Sequence, residues 1–347
     1  MKTSKSLALW RNALVLALAA AAVAFIGKTP ALEAQGRSDL EERHQRLLPL
    51  FETNGVVFTD ADETRGRLVV GVLNRGRGEG QVRARLRQLG IDSQDVDVVE
   101  TEPIVALATL RDQSPDIVGG LQIRFSQYLC SLGFPAFRNG VRGFVTASHC
   151  SDNQGSVDGT TYYQPLNQVA NEFIGTEIAD PPYVRNGKNC PKGKRCRQSD
   201  ANFSRSEGPR AVIVGQIARP IALGSLEIDP ASPYSITGKS VAGMGATANK
   251  VGRTTGWTRG AVSGTCVNTG VSGSTLVLLC QTFVTADGVI VQGGDSGSPV
   301  FATTGDGNNV TLLGGLWGGN QSGTQFVYSP IANIEAELGP LDPVSVP

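Results

Sequence analysis

The sequence predicts an all-β domain preceded by a small α+β unit, and three observations carry that division. Charge is the first: residues 35–116 hold 26 charged side chains in 82 positions, whereas residues 117–347 hold 31 in 231. Cysteine is the second, because Cys130, Cys150, Cys190, Cys196, Cys266 and Cys280 all lie beyond residue 116. The third is period. The second region is built of short apolar runs bounded by Gly, Asn, Asp and Ser, and the 43 glycines of the chain suit short strands and tight turns better than long helices. The expected organisation is an export signal over 1–34, an α+β unit over 35–116, and an antiparallel barrel or sandwich over 117–347.

Taken in order, Lys2, Lys5 and Arg11 precede an unbroken apolar run at 13–26, and Leu32-Glu33-Ala34 offers a cleavage site. The run has 14 residues, short of the roughly 20 that a spanning helix needs, so export with cleavage is favoured over a retained anchor. Ser38-Asp39-Leu40-Glu41 fits a capping box opening a helix to about Leu50. Residues 67–73 read as a strand. Val82, Leu86 and Leu89 share a helical face over 79–89, with Gly90 as cap, and 96–99 and 104–110 read as strands. Beyond residue 116, strands are expected at 143–147, 211–217, 275–280, 310–317 and 325–328. Ser329-Pro330 reads as the cap and first turn of a final helix, with Ile331, Ile334 and Leu338 on one face and Gly339 at its end.

Lys+Arg and Asp+Glu each number 31, so nothing in the charge balance points to nucleic acid or an acidic surface. An even set of cysteines in an exported chain reads as disulfides, with sequence neighbours paired: Cys130–Cys150, Cys190–Cys196 and Cys266–Cys280. Zinc is the weaker reading, since the chain has only two histidines and no matched pair of closely spaced cysteine pairs. No metal and no cofactor is implied. The Asn-x-Ser/Thr strings at Asn202, Asn309 and Asn320 read most simply as turn residues.

Two distant segments supply complementary halves of one reaction centre. Thr146-Ala147-Ser148-His149-Cys150 ends a strand-like run with an imidazole, and Gly294-Asp295-Ser296-Gly297-Ser298-Pro299 sets a serine in a glycine turn. A serine hydroxyl is a poor nucleophile at neutral pH and needs a base within hydrogen-bond reach and donors for the oxyanion it creates. His149 is the only histidine after residue 44, and the N–H groups of Gly294 and Ser296 are the candidate oxyanion donors. A carboxylate must orient the imidazole. Asp200, in Ser199-Asp200-Ala201-Asn202-Phe203, is the first choice, with Asp152, Asp158 and Asp180 as rivals. These residues describe a serine hydrolase, most simply a protease. An α/β-hydrolase is excluded because no histidine follows Ser296. An inactive binding or cell-surface protein on the same fold and an esterase are the other readings.

The order His149, Asp200, Ser296, with gaps of 51 and 96 residues, resembles the chymotrypsin-like serine proteases. Ile117-Val118-Gly119-Gly120, the stretch from Cys130 to Phe134, and Gly252-Arg253-Thr254-Thr255-Gly256-Trp257 look like the bacterial streptogrisin and α-lytic protease branch. The resemblance covers about 117–338. It implies a chymotrypsin-like double β-barrel with a C-terminal helix, an active site between the barrels, and Asp200 as the third triad member. It makes 35–116 a folding-assisting propeptide, so the implied partners are protein or peptide substrates and the propeptide, and the implied location is extracellular or periplasmic, with no stable membrane span after signal removal. Ser148 and Ser298 stand where the family more often has glycine or, at 148, alanine. The resemblance further implies that a basic side chain, Lys250 with Arg253 as second choice, pairs with Asp295 in place of a freed Ile117 ammonium. Aligned with the family, the specificity pocket has Ile290 and Val291 at its floor, Trp317-Gly318-Gly319 as a wall, Trp317 standing where serine is usual, and Phe326 at its base. With no carboxylate there, cleavage after apolar or small residues is expected. Asp116-Ile117 suits such a pocket poorly, so maturation after Leu110, or by another protease, is the alternative. The basic finger from Cys190 to Cys196 reads as a stabilised loop.

Overall fold

The computed structural model describes residues 39–104, 107–186, 189–229, 231–305 and 307–344. The export signal and the Ser38 end of the capping box lie outside them. The chain forms two compact units, Met1–Val105 and Ala106–Pro347.

In the first unit, residues 39–45 are helical and a 3-10 turn follows at Leu48–Glu52, so the expected helix breaks before Leu50. Pro49 explains the break, because it cannot donate to a continuing helix. The strands Val56–Asp62, Arg67–Val72 and Val96–Glu100 make one sheet, with the second and third parallel and joined through helix Arg75–Gln88. That helix starts at Arg75, not Glu79, because the Asn74 side chain accepts from the Arg77 amide. Val82 and Leu86 pack with Leu47, Leu50, Leu68, Val70 and Val98 into the core of this unit. Val56–Asp62 escaped the sequence reading because its outer face is acidic and no residue of it is fully buried.

The second unit begins earlier than residue 117. Ala108–Thr109 pairs with Glu227–Ile228, and Leu110 is fully buried, its amide donating to Leu226 and its carbonyl accepting from Gln122. Of the expected strand over 104–110, residues 105 and 106 lie outside the described residues, and Ala108–Thr109 is the part that pairs. The charge count misplaced the boundary because it averaged a short apolar segment into an acidic and basic surrounding.

The chymotrypsin-like double β-barrel is the architecture of this unit. The first barrel is an eight-stranded antiparallel sheet in which Val141–Thr146 lies between Phe134–Arg138 and Asn202–Ser206. Its interior is filled by Ile123, Phe125, Leu132, Phe144, Tyr162 and Ile174. The second is an eleven-stranded sheet centred on Thr247–Gly252, Gly256–Gly270, Leu276–Thr285, Pro299–Thr303 and Asn309–Gly319. It is mostly antiparallel. Ile117–Gly119 on Val212–Ile217, Tyr234–Lys239 on Asn309–Gly319, and Arg195–Arg197 on Leu276–Leu278 run parallel. Helix Ile331–Leu338 closes the molecule, with Ile331, Ile334 and Leu338 in one core with Phe134, Phe203, Val251 and Phe301 from both barrels. Gly339 ends it at φ 84° and ψ 177°, a backbone conformation that glycine adopts without strain. Ser329 does not cap it: Pro330 occupies that position without a side-chain bond, and the Ser329 hydroxyl is used elsewhere. Among the described residues no helix is long and apolar enough to cross a membrane. The three disulfides join Cys130 to Cys150, Cys190 to Cys196 and Cys266 to Cys280.

Candidate active site

Strand register brings the first two candidate residues together. Val145 and Thr146 pair with Phe203 and Asn202, so the turn after Thr146 and the loop before Asn202 leave the sheet side by side. His149 stands on the first, in the 3-10 turn Ser148–Cys150, and Asp200 on the second. The Cys130–Cys150 disulfide ties the histidine turn to strand Tyr128–Ser131. His149 Nδ1 lies 2.6 Å from Asp200 Oδ2, and the His149 amide donates to Asp200 Oδ1 at 3.1 Å. This fixes both the ring plane and the tautomer, with the proton on Nδ1 and Nε2 turned outward. Burial alone would lower the His149 pKa, but the Asp200 charge and hydrogen bond outweigh it and hold the imidazole above its ordinary value. Burial pushes Asp200 up, while the charge and hydrogen bond of His149 and the charge of Arg197 pull it further down, to a net value below the usual carboxylate range.

Ser296 comes from the second barrel, on a bend that two glycines make possible. Gly294 has φ +95° and Gly297 φ +92°, where a side chain is strained. A Cβ on Gly297 would fall 2.1 Å from the Ser131 carbonyl oxygen and 2.3 Å from Thr146 Oγ1. That lack of room reflects how tightly the serine bend is knit to the histidine strand: Ser131 N–H donates to the Ser296 carbonyl at 2.8 Å, and Thr146 Oγ1 donates to the Ser131 carbonyl at 2.9 Å. The Ser296 hydroxyl itself donates to the Trp317 carbonyl at 3.4 Å, a long contact, and makes no hydrogen bond to His149. Loose contacts at this step are usual before substrate binds. Around the bend the amides of Asp295, Gly297 and Ser298 all have carbonyl partners, whereas those of Gly294 and Ser296 have none among the described residues. They are the two donors expected for an oxyanion.

The rival carboxylates are committed elsewhere. Asp152 accepts from Ser126 Oγ, and Asp158 accepts from the Thr160 amide and hydroxyl. Asp180 is fully enclosed, taking Ser148 Oγ at 2.7 Å and Arg197 Nη1 at 2.6 Å. This gives the serine at 148 a purpose, since it braces the residue next to His149 against a buried ion pair. Ser298 donates to the Asp295 carbonyl at 2.6 Å, tightening the serine bend. Asn202 is no turn residue: it begins a strand, fully buried, with Nδ2 on Tyr162 Oη and Glu177 Oε1.

Lys250 Nζ stands 3.2 Å from Asp295 Oδ2, and both side chains are wholly buried. Burial lowers the Lys250 pKa despite the facing carboxylate. Asp295 also accepts from the amides of Thr254, Thr255 and Gln292 and from Thr255 Oγ1. Arg253, the second choice, turns away to Gln122 Oε1 at 2.7 Å. The Ile117 amide is buried and donates to the Ala211 carbonyl.

A cavity of about 600 Å³ opens beside Ser296, with Val291, Gly318 and Gly319 in its lining and no ionisable residue there. Ile290 and Phe326 are not in it. Both are buried in the second-barrel core, and the Ile290 carbonyl is held by Thr258 Oγ1. The alignment placed them one layer too deep because the alternation of the strand sends Phe326 inward. Trp317 faces a second cleft of about 530 Å³ together with His149, Asp200, Val271, Leu276 and Phe283.

Several site residues were missed by the sequence reading. Gln154 Nε2 donates to Asp200 Oδ1 at 3.2 Å. Ser329 Oγ accepts from the Asp200 amide at 3.0 Å. Arg197 and Glu337 brace the loop that carries Asp200, with Glu337 accepting from Arg197 Nε, the amides of Gln198 and Ser199, and Ser199 Oγ. Only Arg197, beside Cys196 and three residues before Asp200, carried a usable signal in the sequence.

No family model and no curated protein matches this chain. Among solved structures it is similar to Thermobifida fusca protease A, at 24% identity over 67% of this chain and 100% of that one, TM-score 0.48. A Nocardiopsis protease gives 23% identity over 66% and 100%, TM-score 0.47. Cellulomonas bogoriensis chymotrypsin gives 24% over 67% and 100%, TM-score 0.45.

Proposed function

We propose that this chain is an exported serine endopeptidase, acting through Ser296, His149 and Asp200 and an acyl-enzyme intermediate. The observation that carries the reading is the 2.6 Å bond between His149 Nδ1 and a buried Asp200, with a serine bend knit to the histidine strand from the other barrel. In this reading His149 Nε2 takes the Ser296 proton as Oγ attacks the scissile carbonyl. The negative charge that develops on the carbonyl oxygen is met by the N–H groups of Gly294 and Ser296, each such donor being worth about 3 kcal/mol of barrier. The imidazolium, stabilised by Asp200, then gives its proton to the leaving amine, and water deacylates the serine by the same path in reverse.

The pocket beside Ser296 supports cleavage after small or apolar residues. An arginine or lysine side chain would enter it without a counter-charge, and an uncompensated buried charge costs several kcal/mol. Val291 narrows the space: a Cβ on Gly319 would lie 2.5 Å from Val291 Cγ1. Residues 35–104 serve, in the same reading, as a propeptide removed from the secreted enzyme; the three disulfides suit an oxidising compartment.

The test is covalent labelling of the secreted protein with a serine-directed phosphonate, followed by peptide mass spectrometry. The label is expected on Ser296 alone, and Ser296→Ala should lose both label and peptidase activity. Hydrolysis that survives Ser296→Ala would defeat the proposal.

A further inference from the structure

Gln281 lies on strand Leu276–Thr285, and no part of it reaches solvent. All four of its hydrogen-bonding valences are used. Oε1 accepts from Trp317 Nε1 at 2.8 Å and from Ser329 Oγ at 2.9 Å. Nε2 donates to the carbonyls of Gln198 and Leu279, each at 2.7 Å. A buried amide so saturated is held in one orientation, since any rotation leaves buried polar atoms without partners.

Its partners are what give the residue meaning. Ser329 Oγ, whose proton goes to Gln281, accepts the Asp200 amide with its free lone pair. Trp317, whose indole goes to Gln281, offers its carbonyl to the Ser296 hydroxyl. Gln198 belongs to the loop that delivers Asp200. One side chain therefore joins the backbone under the carboxylate of the candidate triad to the backbone beside its serine. Trp317 has no hydroxyl to offer Asp200, and the chain reaches Asp200 instead from beneath, through its amide.

We propose that Gln281 is a positioning residue that sets the Asp200–His149 geometry through Ser329 and the Ser296 environment through Trp317. The inference rests on the peptidase reading above. The ionisable groups around the His149–Asp200 pair are Arg197 and Asp180 from the flanking loops, Tyr183 across them, and Glu337 from the final helix, bonded to Arg197 and to Ser199 beside Asp200, and none of these hydrogen-bonds Gln281.

The test compares the full chain, matured as it is secreted, with Gln281→Met, Trp317→Phe and the double variant. Of the two histidines in the chain, His44 leaves with the propeptide in this reading, so the His149 titration is directly readable by NMR of the ring carbon, independently of any activity. Each single variant should lower kcat by about 10- to 100-fold, the scale of a small misplacement of catalytic groups, with KM little changed. Each should also move the His149 pKa downward, because a displaced Asp200 holds the imidazolium less well. The double variant should be no worse than the poorer single, because the network fails as a unit. Unchanged kcat and His149 titration with only a lowered Tm, or losses that simply multiply, would overturn the proposal. If Gln281→Met does not fold, Trp317→Phe decides, since it keeps an aromatic ring in a partly exposed site. If the wild type neither hydrolyses peptides nor takes the phosphonate, the peptidase reading fails, and the titrations alone still decide whether Gln281 governs His149.

Discussion

At the scale of single residues the proposed reaction centre is governed by how strongly Asp200 holds a proton on His149. The imidazole acts as base only when neutral, and Asp200 raises its pKa. The acid limb of kcat/KM should therefore lie above the value of about 6.5 of a free imidazole. By linkage, protonated His149 also adds to stability; that contribution is full below about 6.5 and is lost as pH rises through the higher folded value. Asp200→Asn should lower the limb and reduce kcat by about 10⁴-fold, since the amide favours the wrong tautomer. A pH–rate profile of both proteins checks the prediction, and a limb that stays in place after the substitution refutes it. His149 and Ser296 were legible as candidates because each sits in a short local string whose chemistry is read without knowing its neighbours, whereas Asp200 was preferred over its rivals through the family resemblance and stands 2.6 Å from the imidazole. Ser329, Gln281 and Glu337 were not. Their use depends on which atoms the barrels bring opposite, and Ser329 in particular carries a misleading local pattern, serine before proline at a helix start, that the fold overrides.

Elements show the same division between local and distant causes. Helix Ile331–Leu338 and the strands beginning near Val96, Val212 and Gln325 follow from apolar spacing and glycine punctuation within a few residues. The parallel pairings and the true start of the second unit do not, because they are decided by partners about a hundred residues away. That start has a consequence for maturation. Ala108–Thr109 is paired, Leu110 is buried, the Asp112 carbonyl accepts from Gln164 Nε2, and the Ser114 carbonyl accepts from Arg210 Nη1. Cleavage at Asp116-Ile117 or after Leu110 would need these bonds opened, since a protease must draw several residues into extended form. N-terminal sequencing of the secreted enzyme should find a start before Ala108. A mature chain beginning at Ile117 would show that the segment is shed, and the reading of it as part of the second unit in the active protein would be lost.

Across the whole molecule, the serine bend is held by a buried charge pair that needs no chain terminus. Lys250 rises from the central strand of the second barrel to meet Asp295, immediately before Ser296, and it also donates to Thr255 Oγ1 and the Gly256 carbonyl. The remaining lone pairs of Asp295 are taken by three amides and a hydroxyl. A free α-ammonium therefore has no vacant acceptor to claim, and the bend can adopt its active form whatever residue begins the mature chain. Two outcomes follow. Extending the mature N-terminus by one residue should leave kcat/KM unchanged, whereas an ammonium-driven switch would lose activity with that extension. Lys250→Met should leave Asp295 buried without a counter-charge and lower the unfolding free energy by about 3–5 kcal/mol, with loss of Ser296 labelling as the bend relaxes. Denaturant unfolding and the phosphonate reaction, measured on the same preparation, separate the two contributions. A Lys250→Met protein of unchanged stability that still reacted at Ser296 would mean that the pair is a bystander and that the glycine bend holds its shape through backbone bonds alone.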